Sequence, residues 1–326
     1  MILKEDVYLK KVVVNQFTPD NVELRLSDKP ITLTPQLNEY CRAKIEKASG
    51  AKASQGILDE GNPILRYIDK DAVVAGKEIS EIWRQAFVSS DDQKLNELFF
   101  FYFSVSGDEY FAFMRVVLDE GIIHSQDKSF IFKTTNNNLP SKSKAPIDSI
   151  VINLKTREYY LLEKPIKIDG AKVNYFSEQV LEIVPEASPE KVIKSLEKEA
   201  GAIAKDFTMD EFDFQTKMKS AIFSNLEEEV LDTEKIAEKV FEGNKTAKDI
   251  FLENTAGFVP ERIADGNFDV ESHSKKYSVQ KMKLDEEVEL KVPTSIMDDP
   301  SRIEIIENKD GSRNIIFKNV KEIDVK

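Results

Sequence analysis

The 326-residue chain has one cysteine, two histidines and only 12 glycines, and each scarcity removes a class of protein. Cys41 alone cannot close an internal disulfide, which excludes a cross-linked secreted scaffold and fits a reducing cytosol. His124 and His273, even with Cys41, are too few for a four-ligand Cys/His zinc centre. Neither G-x-G-x-x-G nor G-x-x-x-x-G-K-[ST] occurs, and Gly76-Lys77 lacks both the upstream glycine and the following hydroxyl, so no phosphate-cradling loop or nucleotide cofactor is expected. The densest apolar run, residues 98–105, is far shorter than the roughly 20 residues of a membrane helix. The opening Met1-Ile2-Leu3-Lys4-Glu5-Asp6 turns acidic before a signal-peptide core can form, so a cytoplasmic chain off the bilayer is expected. Positive charge is in deficit as well: 46 Lys and Arg face 59 Asp and Glu, for a net −13.

That deficit is unevenly placed, and its steps suggest three segments. Residues 1–184 carry −3, residues 185–270 carry −9 and residues 271–326 carry −1. A polyanion can still approach the nearly neutral flanks, because cellular salt screens charges beyond about 8–10 Å.

Segment 1–184 reads as an α+β domain with a mixed or antiparallel sheet and flanking helices. Residues 9–17 and 22–26 have strand patterns. Thr34-Pro35 is an N-cap and first-turn pair, followed by Leu37, Tyr40, Cys41, Ile45 and Ala48 at helical spacing. A second helix is predicted from about Lys77, with Ile79, Ile82, Trp83 and Phe87 on one face. Residues 98–105 and 110–118 flank Ser106-Gly107 as a hairpin apolar on both faces, the centre of a covered sheet. Strands follow at 130–134, 149–153 and 158–162, with a polar, mobile linker expected over 136–144. Segment 185–270 reads as an acidic helical module. Ser188-Pro189-Glu190 starts its first helix, Phe214, Met218, Ile222, Leu226 and Val230 stripe the second, and Thr233 and Thr246 are the expected caps of two shorter ones. Segment 271–326 reads as a β unit, with strands at 277–283, 287–292, 303–306 and 314–320, expected to pack on the first domain.

Catalytic patterns are thin. Cys41 sits on an apolar stripe as an inert thiol, and neither His124 nor His273, read as a loop residue, belongs to a nucleophile signature. Glu289-Leu290-Lys291 puts acid and lysine on one strand face, with Asp285 and Asp269 upstream, which is what an Mg²⁺-dependent nuclease would need; a solvated strand reads the same. Asp210-Glu211-Phe212-Asp213 has the acids that any helix start attracts. The aromatics of 99–113 are not interleaved with Lys and Arg as base-stacking surfaces are, so they read as core.

Three basic groups remain as candidate phosphate contacts: Lys142, Lys144, Lys155 and Arg157; Lys164, Lys167 and Lys172; and Lys275, Lys276, Lys281 and Lys283. Each equally describes a solvated surface. Contacts of this kind would hold DNA without reading its sequence.

Several stretches in fixed order are similar to a known family. Asn138-Leu139-Pro140, Tyr160-Leu161-Leu162-Glu163-Lys164, Ile168-Asp169-Gly170 and Tyr175-Phe176-Ser177-Glu178-Gln179-Val180-Leu181 come first, then Val288-Glu289-Leu290-Lys291-Val292-Pro293 and 310–320. Together with the length, they resemble the bacterial 37-kDa nucleoid-associated proteins, the NdpA-like family. The resemblance implies a nucleoid protein that binds double-stranded DNA with little sequence preference, and a type II topoisomerase as a protein partner. It supplies no catalytic residues, so a non-enzymatic role is expected. A homodimer would double the phosphate contacts, although no heptad run requires one.

Overall fold

The computed structural model describes residues 1–50, 52–92, 94–125, 131–168, 170–266, 270–285 and 287–322. They form two compact units, Met1–Ser188 and Pro189–Lys326.

The first unit is a seven-stranded sheet built wholly from antiparallel pairs. Its elements in chain order are β1 (Val7–Thr18), β2 (Glu23–Arg25), α1 (Pro35–Ala48), β3 (Ser54–Ile57), α2 (Pro63–Ile68), α3 (Ala72–Phe87), β4 (Asn96–Val105) and β5 (Asp108–Val117). Then come β6 (Asp119–Ser125), β7 (Ile131–Asn138), β8 (Asp148–Asn153), β9 (Glu158–Leu162), β10 (Ile166–Ile168), β11 (Ala171–Val173) and a π-helical turn, Phe176–Leu181. The order across the sheet is β2-β1-β4-β5-β8-β9-β3, while β6–β7 and β10–β11 are separate two-stranded ribbons.

The aromatic hairpin is the middle of that sheet. Ser106 and Gly107 both have positive φ, 50° and 93°, the left-handed pair a two-residue turn needs to match strand twist. Strand alternation then sends Phe99, Phe101 and Phe103 toward Cys41, Ile45 and Ala48 of α1. Leu98, Phe100 and Phe113 go to the other face, against Ile79, Trp83 and Phe87 of α3 and Phe176. Both faces are therefore dry, and the aromatics are core. α3 approaches β1 closely enough that a Cβ at Gly76 would lie 3.2 Å from the Val13 side chain.

Helix α3 starts at Ala72, five residues before the predicted Lys77, because the Asp71 carboxylate caps the Val73 N–H at 2.9 Å. The predicted linker also differs. Residues 136–138 belong to β7, and the Ser141 and Lys144 carbonyls accept hydrogen bonds from Lys44 Nζ at 2.9 and 2.5 Å. Lys44 is 1% exposed, and its desolvation, with Lys144 nearby, lowers its pKa to about 8.

The second unit contains α4 (Pro189–Asp206), α5 (Glu211–Glu227), α6 (Thr233–Val240), α7 (Lys245–Thr255), α8 (Glu261–Ala264), α9 (Val270–Tyr277), β12 (Val279–Leu284), β13 (Val288–Pro293), α10 (Thr294–Met297), β14 (Ile303–Glu307) and β15 (Arg313–Phe317). Leu196, Phe214, Ile222, Leu226, Ile236 and Phe251 make its core. The caps of α6 and α7 are Asp232 and Asn244, one and two residues before the expected threonines; their side chains accept from the N–H groups of Glu234 at 2.8 Å and Ala247 at 3.1 Å. Where the sequence divides a helical module from a β unit, contacts gather both into one compact unit. Lys219 Nζ donates to the Val279 carbonyl at 2.7 Å, and Arg313 of β15 pairs with Asp210, the N-cap of α5, at 2.6 Å. His273, expected in a loop, lies buried on α9.

Candidate nucleic-acid interface

The first basic group is split by the strand inside it. Lys142 and Lys144 precede β8 while Lys155 and Arg157 follow it, and six extended residues span roughly 20 Å. Three of the four are also occupied by acids: Lys142 pairs with Glu39, Lys144 with Asp119 at 2.9 Å and Arg157 with Glu60 at 3.1 Å. The Lys142 ammonium holds the Glu39 carboxyl below the usual carboxylate range. Only Lys155 is exposed without a carboxylate in ion-pairing distance among the described residues.

In the second group two of the three lysines come together. β9 ends at Leu162, Lys164 and Pro165 carry the chain out of the seven-stranded sheet, and β10 pairs with β11 as a short ribbon. Lys167 and Lys172 are direct cross-strand partners, so their side chains share one face of the ribbon. The ribbon is tied down on its backbone side: Asp91 N–H donates to the Lys167 carbonyl at 3.2 Å, and Ser90 bridges Ile168. Lys164, Lys167 and Lys172 are all exposed, and among the described residues none has a carboxylate within 4 Å. Like charges set opposite one another repel, and nothing described on this surface cancels them.

The third group lies in the second unit and is sorted by the register of β12–β13. Lys281 faces Lys291, whereas Lys283 faces Glu289. Lys275 and Lys276 are exposed in the last turn of α9, where cations favour the helix dipole; Lys276 Nζ stands 4.8 Å from the Tyr277 ring centre. Lys219 and Lys198, on α5 and α4, join this group in space and have no place in the sequence grouping. Their one sequence signal is that Lys219 follows Met218 at the border of the α5 apolar stripe.

In the nuclease pattern Glu289 faces Lys283 while Lys291 faces Lys281, with Asp285 in the turn between the strands and Asp269 outside the described residues. Among the described residues, no three His, Cys, Asp or Glu side chains gather as metal ligands. His124 stands on β6 with its side chain outside the described set.

Within the stretches that carry the family resemblance, Tyr175 and Ser177 are buried and Glu163 is half-buried, and these three do a different job from the lysines. The Tyr175 hydroxyl donates to Asp148 at 2.6 Å and accepts from Trp83 Nε1 at 2.9 Å. Asp148 also binds Arg115 Nη1 at 3.0 Å, and Arg115 reaches Asn96 at 2.8 Å and pairs with Asp92. Arg115, Asp148 and Tyr175 are each 0% exposed, and the guanidinium lies 4.3 Å from the Phe87 ring centre. Burial opposes the Arg115 charge, but Tyr175, Asp148 and Asp92 outweigh it and raise its pKa, while burial beside Asp148 lifts the Tyr175 phenol. Glu163 accepts from the backbone N–H groups of Phe176 at 2.7 Å and Ser177 at 3.0 Å, and so anchors the π-helical turn. This network orients the end of β9 and positions the β10–β11 ribbon that follows. The Asp169 of Ile168-Asp169-Gly170 lies outside the described residues.

No helix among the described residues is long and apolar enough to cross a membrane. No curated protein matches the chain. A family described as nucleoid-associated protein YejK matches residues 10–323, through both units and nearly end to end. The buried network, the paired-lysine ribbon and the closing hairpins all fall within that match, and the chain belongs to this family of nucleoid-associated proteins.

Proposed function

We propose that this nucleoid-associated chain binds double-stranded DNA directly, without reading sequence, and does so as a binder rather than a catalyst in the bacterial cytoplasm. The observation that carries this reading is the β10–β11 ribbon: Lys167 and Lys172 face the same way, with Lys164 at its entry and no described carboxylate in reach. Lysines placed so hold phosphates as point charges and release counterions, so affinity falls steeply with salt. The net −13 is no obstacle, because more than half of it lies in the other unit and screening confines repulsion to about 8–10 Å.

A mobility shift with random duplex at several salt concentrations tests the reading. Binding should weaken as salt rises, and Lys167→Glu with Lys172→Glu should flatten the salt slope by roughly 2 on the log–log scale. No shift at low salt would reject direct association. Supercoiled plasmid should stay intact with Mg²⁺ and excess protein; nicking would restore the nuclease reading at Glu289 and Lys291.

A second reading rests on the acidic helices. The exposed run Glu227-Glu228-Glu229 and a unit charge of −9 suit a basic protein surface, and the partner expected from the family resemblance is a type II topoisomerase. Capture of the purified topoisomerase should weaken in Glu227→Lys with Glu229→Lys while duplex binding persists; unchanged capture would remove this role from the acidic run.

A further inference from the structure

A cleft of about 570 Å³ opens in the second unit between α4, α5, α9 and β12. Four lysines line it, Lys198, Lys219, Lys276 and Lys281, with a single acid, Glu197. That acid already accepts the Tyr277 hydroxyl at 3.0 Å, and the same hydroxyl is 3.0 Å from Lys276 Nζ. Lys219 is half-buried at the wall and donates to the Val279 carbonyl at 2.7 Å; desolvation and the nearby Lys281 and Lys276 lower its pKa.

Five other helical lysines of this unit are ion-paired, whereas Lys205 and Lys245 have no carboxylate within 4 Å among the described residues. Lys194, Lys217, Lys235, Lys239 and Lys248 each have a carboxylate within 4 Å, as expected where acids outnumber bases. Among the described residues, the four cleft lysines have none. Mutual repulsion of ammoniums around a concavity is costly unless an anion enters it. The cleft also has an apolar wall from Phe214 and Met218, and a hollow of about 980 Å³ sharing Lys198 and Phe214 continues past Ala202 and Met209. Volumes of this order suit small ligands with a few polar anchors.

We propose that this cleft binds a compact phosphorylated small molecule, a di- or triphosphate, with its phosphates on Lys198, Lys219, Lys276 and Lys281. Four ammoniums and one carboxylate leave about three positive charges, a match for such a group. A long duplex fits less well, because its backbone phosphates would have to enter a concavity. The site is independent of the β10–β11 surface, so either assignment can fail without the other.

Calorimetry of the full chain with tripolyphosphate and with ATP, run beside a random duplex, tests the site. Saturable one-to-one binding of tripolyphosphate is expected, weakened about tenfold in Lys219→Gln and in Lys281→Gln. Lys219→Arg should keep it, and Lys167→Glu with Lys172→Glu should leave it unchanged. If Lys219→Gln does not fold, the exposed Lys276→Gln and Lys281→Gln carry the comparison. No saturable binding of either phosphate would overturn the proposal, as would binding that ignores the cleft substitutions. Duplex affinity that falls with them as far as tripolyphosphate affinity does would give the cleft to the DNA backbone instead, and overturn the small-ligand assignment.

Discussion

The two units treat charge in opposite ways. Met1–Ser188 carries −4 and takes ions inside: Arg115, Asp148 and Lys44 are each 0–1% exposed. Pro189–Lys326 carries −9 in fewer residues, closes its core with apolar side chains and spreads ion pairs such as Lys235–Glu228 and Lys248–Glu238 over its helices. The contrast teaches that net charge does not locate function. The acidic unit holds a cluster of lysines without carboxylate partners among the described residues, and the more balanced unit has neutralised much of its apparent basic surface.

Breaking the buried network should give the largest effect. Asp148→Ala leaves Arg115 and the Tyr175 hydroxyl without their shared acceptor and should cost the first unit about 3–5 kcal/mol. Trp83, the one tryptophan, sits in that core, so its emission reports denaturation of this unit. A matching strike on the other unit is Phe251→Ala, expected to cost about 3 kcal/mol by helical circular dichroism while the Trp83 midpoint stays put. Coincident shifts in both probes would show that the units do not unfold independently.

Lys44 sharpens the comparison through pH. Its folded pKa is near 8 against an ordinary 10.5, so between these values the unfolded chain holds a proton that the folded chain lacks. Stability of the first unit should therefore rise from pH 8 toward 10.5, by up to about 3 kcal/mol, and Lys44→Met should lose that rise in Trp83-monitored urea titrations. The smallest effect is expected at Asp210→Ala. It removes the α5 cap and the exposed Arg313 pair, for about 1 kcal/mol, most of it from the cap.

Much of the fold was legible in the sequence where the signal is local. Ser106-Gly107 between two aromatic runs marked the central hairpin, and Thr34-Pro35 marked the start of α1, whose Thr34 Oγ1 accepts from the Leu37 N–H at 3.3 Å. Helix α9 was not legible, because Glu271-Ser272-His273-Ser274-Lys275-Lys276 has no apolar stripe; among its described side chains the buried ones are His273 and Tyr277. The caps Asp232 and Asn244 lost to neighbouring threonines because every one of these residue types can cap, and only backbone geometry chooses among them. The candidate site was half legible. Lys167 and Lys172 stand on one short ribbon with Lys164 just before it, whereas Lys198 and Lys219 join Lys276 and Lys281 from helices remote in sequence.

The sequence by itself determined the alternation that makes β4 and β5 a doubly covered centre, the helical stripes of α1, α4 and α5, and the imbalance of charge between the halves. These follow from periods of two and 3.6 residues and from composition, which neighbours along the chain already contain. Helical pairs such as Lys194–Glu190 are set by sequence spacing, but tertiary structure alone decided which distant cations and anions meet. Lys142 finds Glu39 across 103 positions and Lys144 finds Asp119 across 25, while Lys167 and Lys172 face each other with no carboxylate in reach among the described residues. Coulomb interaction depends on distance through space, and only the folded backbone sets that distance.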